Sequence, residues 1–221
     1  MKIEAILFDF GGTLDSDGIA WKDRFRVHIL SLGYRGNAEE FDRAFFAADD
    51  ALVGTIPRDL PFRDTIDQLS HGLVQELGMD AATGPRIADA FFHDSLAKAQ
   101  ASAQVLGHLG RRFRLGIVSN FYGNLERVCA DTEIARHVQV AMDSAVVGFE
   151  KPDPRIFQAA LSALDVRPEE AVFVGDSLPR DMMGARDLGM PHVYVAPGGE
   201  KACCPQDRVI GTVAQLLEMY S

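Results

Sequence analysis

The apolar run Ile3-Glu4-Ala5-Ile6-Leu7-Phe8 ends on Asp9 and then breaks into Gly11-Gly12. No other feature constrains the fold of this chain as much. A run so short and so apolar suits a strand in a parallel sheet that is covered on both faces. Open sheets of that kind bind ligands outside the carboxyl ends of their strands. The run therefore delivers a carboxylate to a binding edge, and the glycines behind it let backbone approach a ligand closely. Asp9 is thereby a candidate oxygen nucleophile or metal ligand.

Arg114–Val118, His137–Met142, Ala171–Val174 and His192–Ala196 are likewise short, apolar and rich in Val, Ile or Phe. Helical signals separate them. Asp153-Pro154 opens one helix with Ile156, Ala160, Leu161 and Leu164 on one face, and another runs from Pro179 to Leu188 and stops at Gly189. Strands alternating with helices predict a doubly wound α/β domain with a parallel sheet.

The interval from Ser16 to Gln100 has no convincing strand. Trp21, Phe25, Ile29 and Leu32 recur at helical spacing, as do Phe41, Phe45, Ala48 and Leu52. Phe62, Ile66, Leu69, Leu73 and Leu77 form a third stripe, and Ile87, Phe91 and Leu96 a fourth. The pattern predicts an all-α unit at residues 16–100, inserted after the first strand of a core made by residues 1–15 and 101–221. These stripes read as ordinary core, so neither Trp21 nor the phenylalanines are taken as recognition residues. His28, His71 and His93 read as surface or structural histidines before cleft residues.

With 47% apolar residues the chain can bury a substantial core. Its formal net charge of −10 disfavours nucleic acid as a partner, because phosphate backbones reward clustered Lys and Arg. The three cysteines, Cys129, Cys203 and Cys204, have neither metal-ligand spacing nor an even disulfide framework. They suit a reduced, cytoplasmic setting. The N-terminus looks like neither a signal peptide nor a transit sequence. No apolar stretch approaches the roughly 20 residues of a membrane helix, so no membrane partner is expected. Pro197 to Pro205, with its paired cysteines, reads as a loop after the last strand.

Four separated segments carry a family resemblance: Asp9-Phe10-Gly11-Gly12-Thr13-Leu14, Leu115-Gly116-Ile117-Val118-Ser119-Asn120, Gly148-Phe149-Glu150-Lys151-Pro152-Asp153-Pro154, and Val172-Phe173-Val174-Gly175-Asp176-Ser177 with Asp181 beyond it. Together and in this order they resemble the haloacid dehalogenase superfamily, in its phosphatase branch with a helical cap. The resemblance implies that Asp9 attacks phosphorus and forms an aspartyl-phosphate. It implies that Ser119, Asn120 and Lys151 hold the transferring phosphoryl group. It further implies Mg2+ on Asp9, the Gly11 carbonyl, Asp176 and Asp181, and a small phosphorylated metabolite as substrate. Asp181 has two further readings: it orients Lys151, or it only begins a helix. Thr13 is expected to brace the loop. The residue types also make chemical sense alone, since a carboxylate, a cation site, a lysine and neutral donors suffice for phosphoryl transfer.

Gly11 departs from the pattern. Most phosphatases of this family carry an aspartate there, which protonates the leaving alcohol and later activates water. General acid–base catalysis contributes about 10²–10⁴-fold, so its loss calls for a remedy. Asp15, Asp17 or a residue of the cap could replace it, or the substrate could be an activated phosphate that departs without protonation. Alternatively the protein is a catalytically silent phosphate-binding module. Dehalogenating members carry an aromatic residue at the place of Gly11 and lack the pair seen here as Gly175-Asp176, which disfavours that chemistry. Phosphonate-cleaving relatives use a cap lysine, for which the insert offers only Lys22 and Lys98.

Overall fold

The computed structural model describes residues 2–199 and 208–220, so the expected loop through Cys203 and Cys204 lies largely outside the described residues. Six parallel strands form one sheet: β1 (Ala5–Phe8), β2 (Arg114–Ser119), β3 (Val140–Asp143), β4 (Ala171–Gly175), β5 (His192–Val195) and β6 (Arg208–Ile210). Their order is β3-β2-β1-β4-β5-β6. The chain steps outward from β1 to β3, then returns across the sheet to β4. This reversal places a topological switch point beside β1, where the carboxyl ends of the strands open into a crevice.

β1 is central, and its four residues are completely buried. Ile6 and Phe8 enter one apolar cluster while Ala5 and Leu7 enter another. Burial on both faces is why the strand reads as a continuous apolar run rather than an alternating one. Phe8 pairs with Ile117 of β2 and Val174 of β4, so Asp9 emerges level with the ends of both neighbours.

Strand ends differ from expectation by one to three residues, most at β3, which begins at Val140 and not at the expected His137, beyond the turn over Ile134–Arg136. The strand after the Pro197 loop was not anticipated: β6 pairs with β5, so the loop does not follow the last strand. Three residues, two of them exposed, carry too little apolar periodicity to register in a sequence.

Between β1 and β2 the chain forms α1 (Trp21–Ser31), α2 (Ala38–Asp50), α3 (Phe62–Glu76) and α4 (Thr83–Leu109). Asn37 and Glu40 form a reciprocal cap at the start of α2. The expected boundary at residue 100 falls within α4, which runs unbroken and buries Ala103, Leu106 and Leu109 near its end. Phe25, Phe45, Phe62 and Phe91 belong to the same apolar cluster as Ile6 and Phe8 of the sheet. The remaining helices are α5 (Leu125–Asp131), α6 (Ser144–Val147), α7 (Pro154–Ala163), α8 (Met183–Asp187) and α9 (Leu216–Met219). Among the described residues no helix is long and apolar enough to cross a membrane.

Candidate active site

Three strand ends and one helix approach converge beside β1. Asp9 follows β1, Ser119 ends β2, Lys151 precedes α7, and Asp176 follows β4. The Lys151 ammonium lies 2.7 Å from Asp9 Oδ1 and 2.7 Å from Asp181 Oδ1, with the lysine buried. Ser119 donates its hydroxyl proton to Asp9 Oδ1 at 2.8 Å. One oxygen of Asp9 is therefore fixed by two donors, which leaves Oδ2 for chemistry or for a cation.

Asn120 has backbone partners that the expectation did not include. Its Oδ1 accepts from the Lys151 amide at 2.7 Å and its Nδ2 donates to the Lys151 carbonyl at 3.1 Å. The carboxamide thus grips the backbone at Lys151 and positions that lysine. It still lines the cavity described below. A sequence reading sees an amide after a strand but not that its partner stands thirty-one residues away.

The acidic residues form a tight set. One oxygen each of Asp9, Asp176 and Asp181 lies within 4.8 Å of the others. Thr13 donates to Asp176 Oδ1 at 2.7 Å, so the expected bracing residue holds a carboxylate. The Ser177 amide donates to Asp181 Oδ2 at 2.9 Å. Two glycines make room for this packing. A Cβ on Gly12, whose φ is +97°, would stand 2.4 Å from Asp176 Oδ2, and one on Gly175 would stand 2.4 Å from Asp181 Oδ2.

A divalent cation fits this donor set. Three carboxylates face a single ammonium, so full ionisation would leave two negative charges unbalanced in a buried site. Asp181 Oδ1 faces Lys151 as an ion pair but receives no well-directed hydrogen bond. Burial, followed by the nearby Asp9 and Asp181 charges, pushes Asp176 well above the usual carboxylate range. Burial also raises Asp181, against the opposing pull of Lys151. Hard oxygen ligands at close quarters are what Mg2+ prefers.

These shifts set a pH dependence. A carboxyl raised in the folded chain stabilises the fold most below its ordinary value of 3.8, and that contribution is lost as pH rises through the folded value. A cation binds the ionised carboxylates and releases their protons. The rise in Tm on adding Mg2+ is therefore expected to grow with pH. Saturation near 100 Kd gives about 2.7 kcal/mol, or about 5–11 °C for a chain of this size. Scanning calorimetry with Mg2+ or EDTA across pH checks this; a Mg2+ shift that is flat or shrinks with rising pH contradicts it.

A cavity of about 160 Å³ opens onto Asp9, lined on the sheet side also by Gly11, Ser119 and Lys151. Trp21, Phe45, Phe46 and Asp49 line it from the inserted helices, and Phe121 and Tyr122 from the loop after β2. Aromatic residues read above as core thus also form site walls. Phe121 and Tyr122 directly follow Ser119-Asn120, and that adjacency was the available signal. His28, His71 and His93 do not line this cavity. Lys22 does, with its ammonium 3.0 Å from Asp42, whereas Lys98 pairs with Asp17.

Neither expected substitute for the missing acid is available. Asp15 is fully buried and accepts from the Gly12 amide at 2.7 Å, Trp21 Nε1 at 2.7 Å, Arg24 at 2.9 Å and Ser95 at 3.0 Å. It ties the loop after β1 to α1 and α4. Asp17 is held by Lys98 at 3.0 Å and by the Val213 amide at 2.9 Å. A Cβ on Gly11 would meet Trp21 Nε1 at 3.3 Å, so a side chain there would press against the indole.

The family model for haloacid dehalogenase-like hydrolases matches residues 3–189. The chain belongs to this family. The haloacid dehalogenase-like hydrolase domain-containing protein 3 of Bos taurus is 28% identical over 90% of this chain and 85% of its own length. A phosphoserine phosphatase of Thermus thermophilus is 32% identical over 78% of this chain and 82% of its own. The solved L-2-haloacid dehalogenase of Xanthobacter autotrophicus superposes with a TM-score of 0.61 at 18% identity, covering 98% of each chain, which shows a shared fold. Membership fits the hydrolase chemistry of a buried carboxylate fixed beside a lysine.

Proposed function

We propose that this hydrolase is a Mg2+-dependent phosphatase of small phosphorylated metabolites, working through Asp9. The observation that carries the reading is the meeting of Asp9, Ser119 and Lys151 with the Asp176–Asp181 pair at one strand edge. The phosphoserine phosphatase relative supports phosphate as the group transferred. The intact Gly175-Asp176 pair sets the chain apart from metal-free dehalogenating members.

Asp9, Asp176, Asp181 and the Gly11 carbonyl would hold the cation, which supplies positive charge to the phosphoryl oxygens. Asp9 Oδ2 attacks phosphorus and the leaving oxygen departs, giving an aspartyl-phosphate. Lys151 and Ser119 keep Oδ1 in place, so the attacking oxygen arrives with its geometry set. Lys151 also offsets charge on the transferring group. Water then attacks the same phosphorus, the bond to Asp9 breaks, and phosphate leaves. The inserted helices act as a cap whose aromatic wall keeps bulk water from the reaction. The small cavity favours a compact leaving group.

Phosphate release from a panel of phosphomonoesters, acyl phosphates and phosphoanhydrides tests this reading. Turnover is expected with Mg2+ and not with EDTA, and Asp9→Asn is expected to lower it by at least about 10³-fold, as loss of a nucleophile does. Phosphate binding without turnover by the wild type would favour the silent binding module.

A further inference from the structure

If the phosphatase reading holds, two proton transfers remain without a group. An alkoxide leaves slowly unless protonated, and the hydrolytic water needs a base. Gly11 has no side chain, and the Trp21 indole lies against it. Asp15 and Asp17 are committed elsewhere. Among the residues lining the cavity only two are carboxylates, Asp9 and Asp49.

Asp49 stands near the end of α2, on the cap side of the cavity. The Tyr122 hydroxyl donates to its Oδ1. Oδ2 has no hydrogen-bond partner among the described residues and is not sealed from solvent. Burial and many neighbouring acids keep Tyr122 protonated, so it serves Asp49 only as a donor. Burial, first among several influences, raises Asp49 from its ordinary value; the Tyr122 hydrogen bond and Arg180 oppose this and Asp50 adds to it. Lys22 lines the same space from α1. Among the described residues Asp49 forms no ion pair, although Lys22 and Arg180 also line the cavity, and its one hydrogen bond comes from a neutral hydroxyl, as suits a general acid.

We propose that Asp49 donates the proton to the leaving oxygen and later takes one from the hydrolytic water, with Tyr122 as its positioning residue. In the first step the bond from Asp9 Oδ2 to phosphorus forms and the ester bond breaks. The Oδ2 proton of Asp49 passes to the leaving oxygen, which departs as an alcohol. In the second step Asp49, now a carboxylate, accepts a proton from water as its oxygen bonds to phosphorus. The bond to Asp9 breaks, phosphate leaves, and both carboxyl groups return to their starting forms. The acid thus comes from the cap, so it joins the phosphorus centre only where cap and core meet.

The test compares an alkyl phosphate, whose leaving group needs protonation, with p-nitrophenyl phosphate, whose leaving group does not. Asp49→Asn is expected to lower the first-turnover release of the alcohol from the alkyl ester by about 10²–10⁴-fold, whereas the first turnover of the aryl ester should release p-nitrophenolate within about tenfold of the wild-type rate as a burst, with only the later, base-dependent turnovers slowed. The aryl activity also reports that the variant is folded. For the wild type, alkyl hydrolysis is expected to fall on the alkaline side as Asp49 loses its proton. Tyr122→Phe removes a hydrogen bond that favours the carboxylate, so that limb should move to higher pH. Equal losses on both esters in the first turnover, or a rise in KM with kcat unchanged, would overturn the role of Asp49 and leave the phosphatase reading standing. Failure of the wild type to hydrolyse either ester would overturn both.

Discussion

Lys151→Met is expected to abolish phosphate release and to destabilise the protein by about 3–5 kcal/mol near neutral pH, the usual cost of removing one partner of a buried ion pair. The lysine is buried between Asp9 and Asp181 at 2.7 Å from each, and methionine fills much of its volume without its charge. Burial alone would lower the Lys151 pKa, but Asp181 and Asp9 outweigh it and hold it above the ordinary lysine value. The ammonium therefore stays charged through the whole physiological range. Its stabilising contribution is complete below the unfolded lysine value and is lost only as pH rises through the higher folded one.

Two readouts separate the charge from the packing. Mg2+ should recover part of the lost Tm in Lys151→Met, since a cation relieves the same carboxylates, but it should not recover turnover. The stability deficit should also shrink as pH falls, because Asp176 and Asp181 take up protons readily. Thermal unfolding with Mg2+ or EDTA, beside the phosphate-release assay, measures both. A variant with wild-type Tm in EDTA near neutral pH would show that the lysine is not holding the acidic set together.

Arg24→Leu is expected to cost about 3–5 kcal/mol as well, or a Tm lower by about 6–20 °C. Arg24 is 6% exposed and Asp15 is 0% exposed, with 2.9 Å between guanidinium and carboxylate. The guanidinium also reaches Asp94 at 3.0 Å and Ser95 at 2.6 Å, and sits 4.1 Å over the Phe91 ring. Its loss leaves the Asp15 charge buried with neutral donors alone. Burial already raises Asp15, against the lowering pull of Arg24. A raised group stabilises the fold at low pH and loses that contribution as pH rises through its folded value.

The deficit of Arg24→Leu should therefore narrow toward acid pH, where a neutral Asp15 needs no cation. Asp15 also accepts from the Gly12 amide and from Trp21 Nε1, so the loop after Asp9 is coupled to α1. Calorimetry of the variant beside Arg24→Lys, which keeps a charge but not the forked geometry, resolves the two contributions. A Tm within about 2 °C of wild type would mean that the buried pair adds little to stability.

The fold was legible because its signals are local. Five of the six strands announced themselves as short apolar runs, since burial on both faces forces that composition on them. The four inserted helices announced themselves by periodic stripes. β6 did not, being short and half exposed, because its pairing comes from the neighbouring edge and not from its own residues. The candidate site was legible at Asp9, Ser119, Lys151, Asp176 and Asp181, which sit where strands end or helices begin and carry groups that chemistry uses.

Asp15, Asn120, Trp21 and Asp49 were not legible in the same way. As a sequence, Asp15 offers a spare carboxylate near the nucleophile; in the fold it is fully occupied as the anchor of a buried network. Asn120 also clamps the backbone at Lys151, and Trp21, a core residue, is also a site wall. Asp49 looks like one of two acids at the end of a surface helix, until packing sets it against Tyr122 and the cavity. By itself the sequence determined the sheet, the inserted helices and the groups gathered at the strand edge, because periodicity and chain direction are properties of contiguous residues. Only the tertiary structure decided which carboxylates are free to act, because burial and hydrogen-bond partners are supplied by segments distant in the chain.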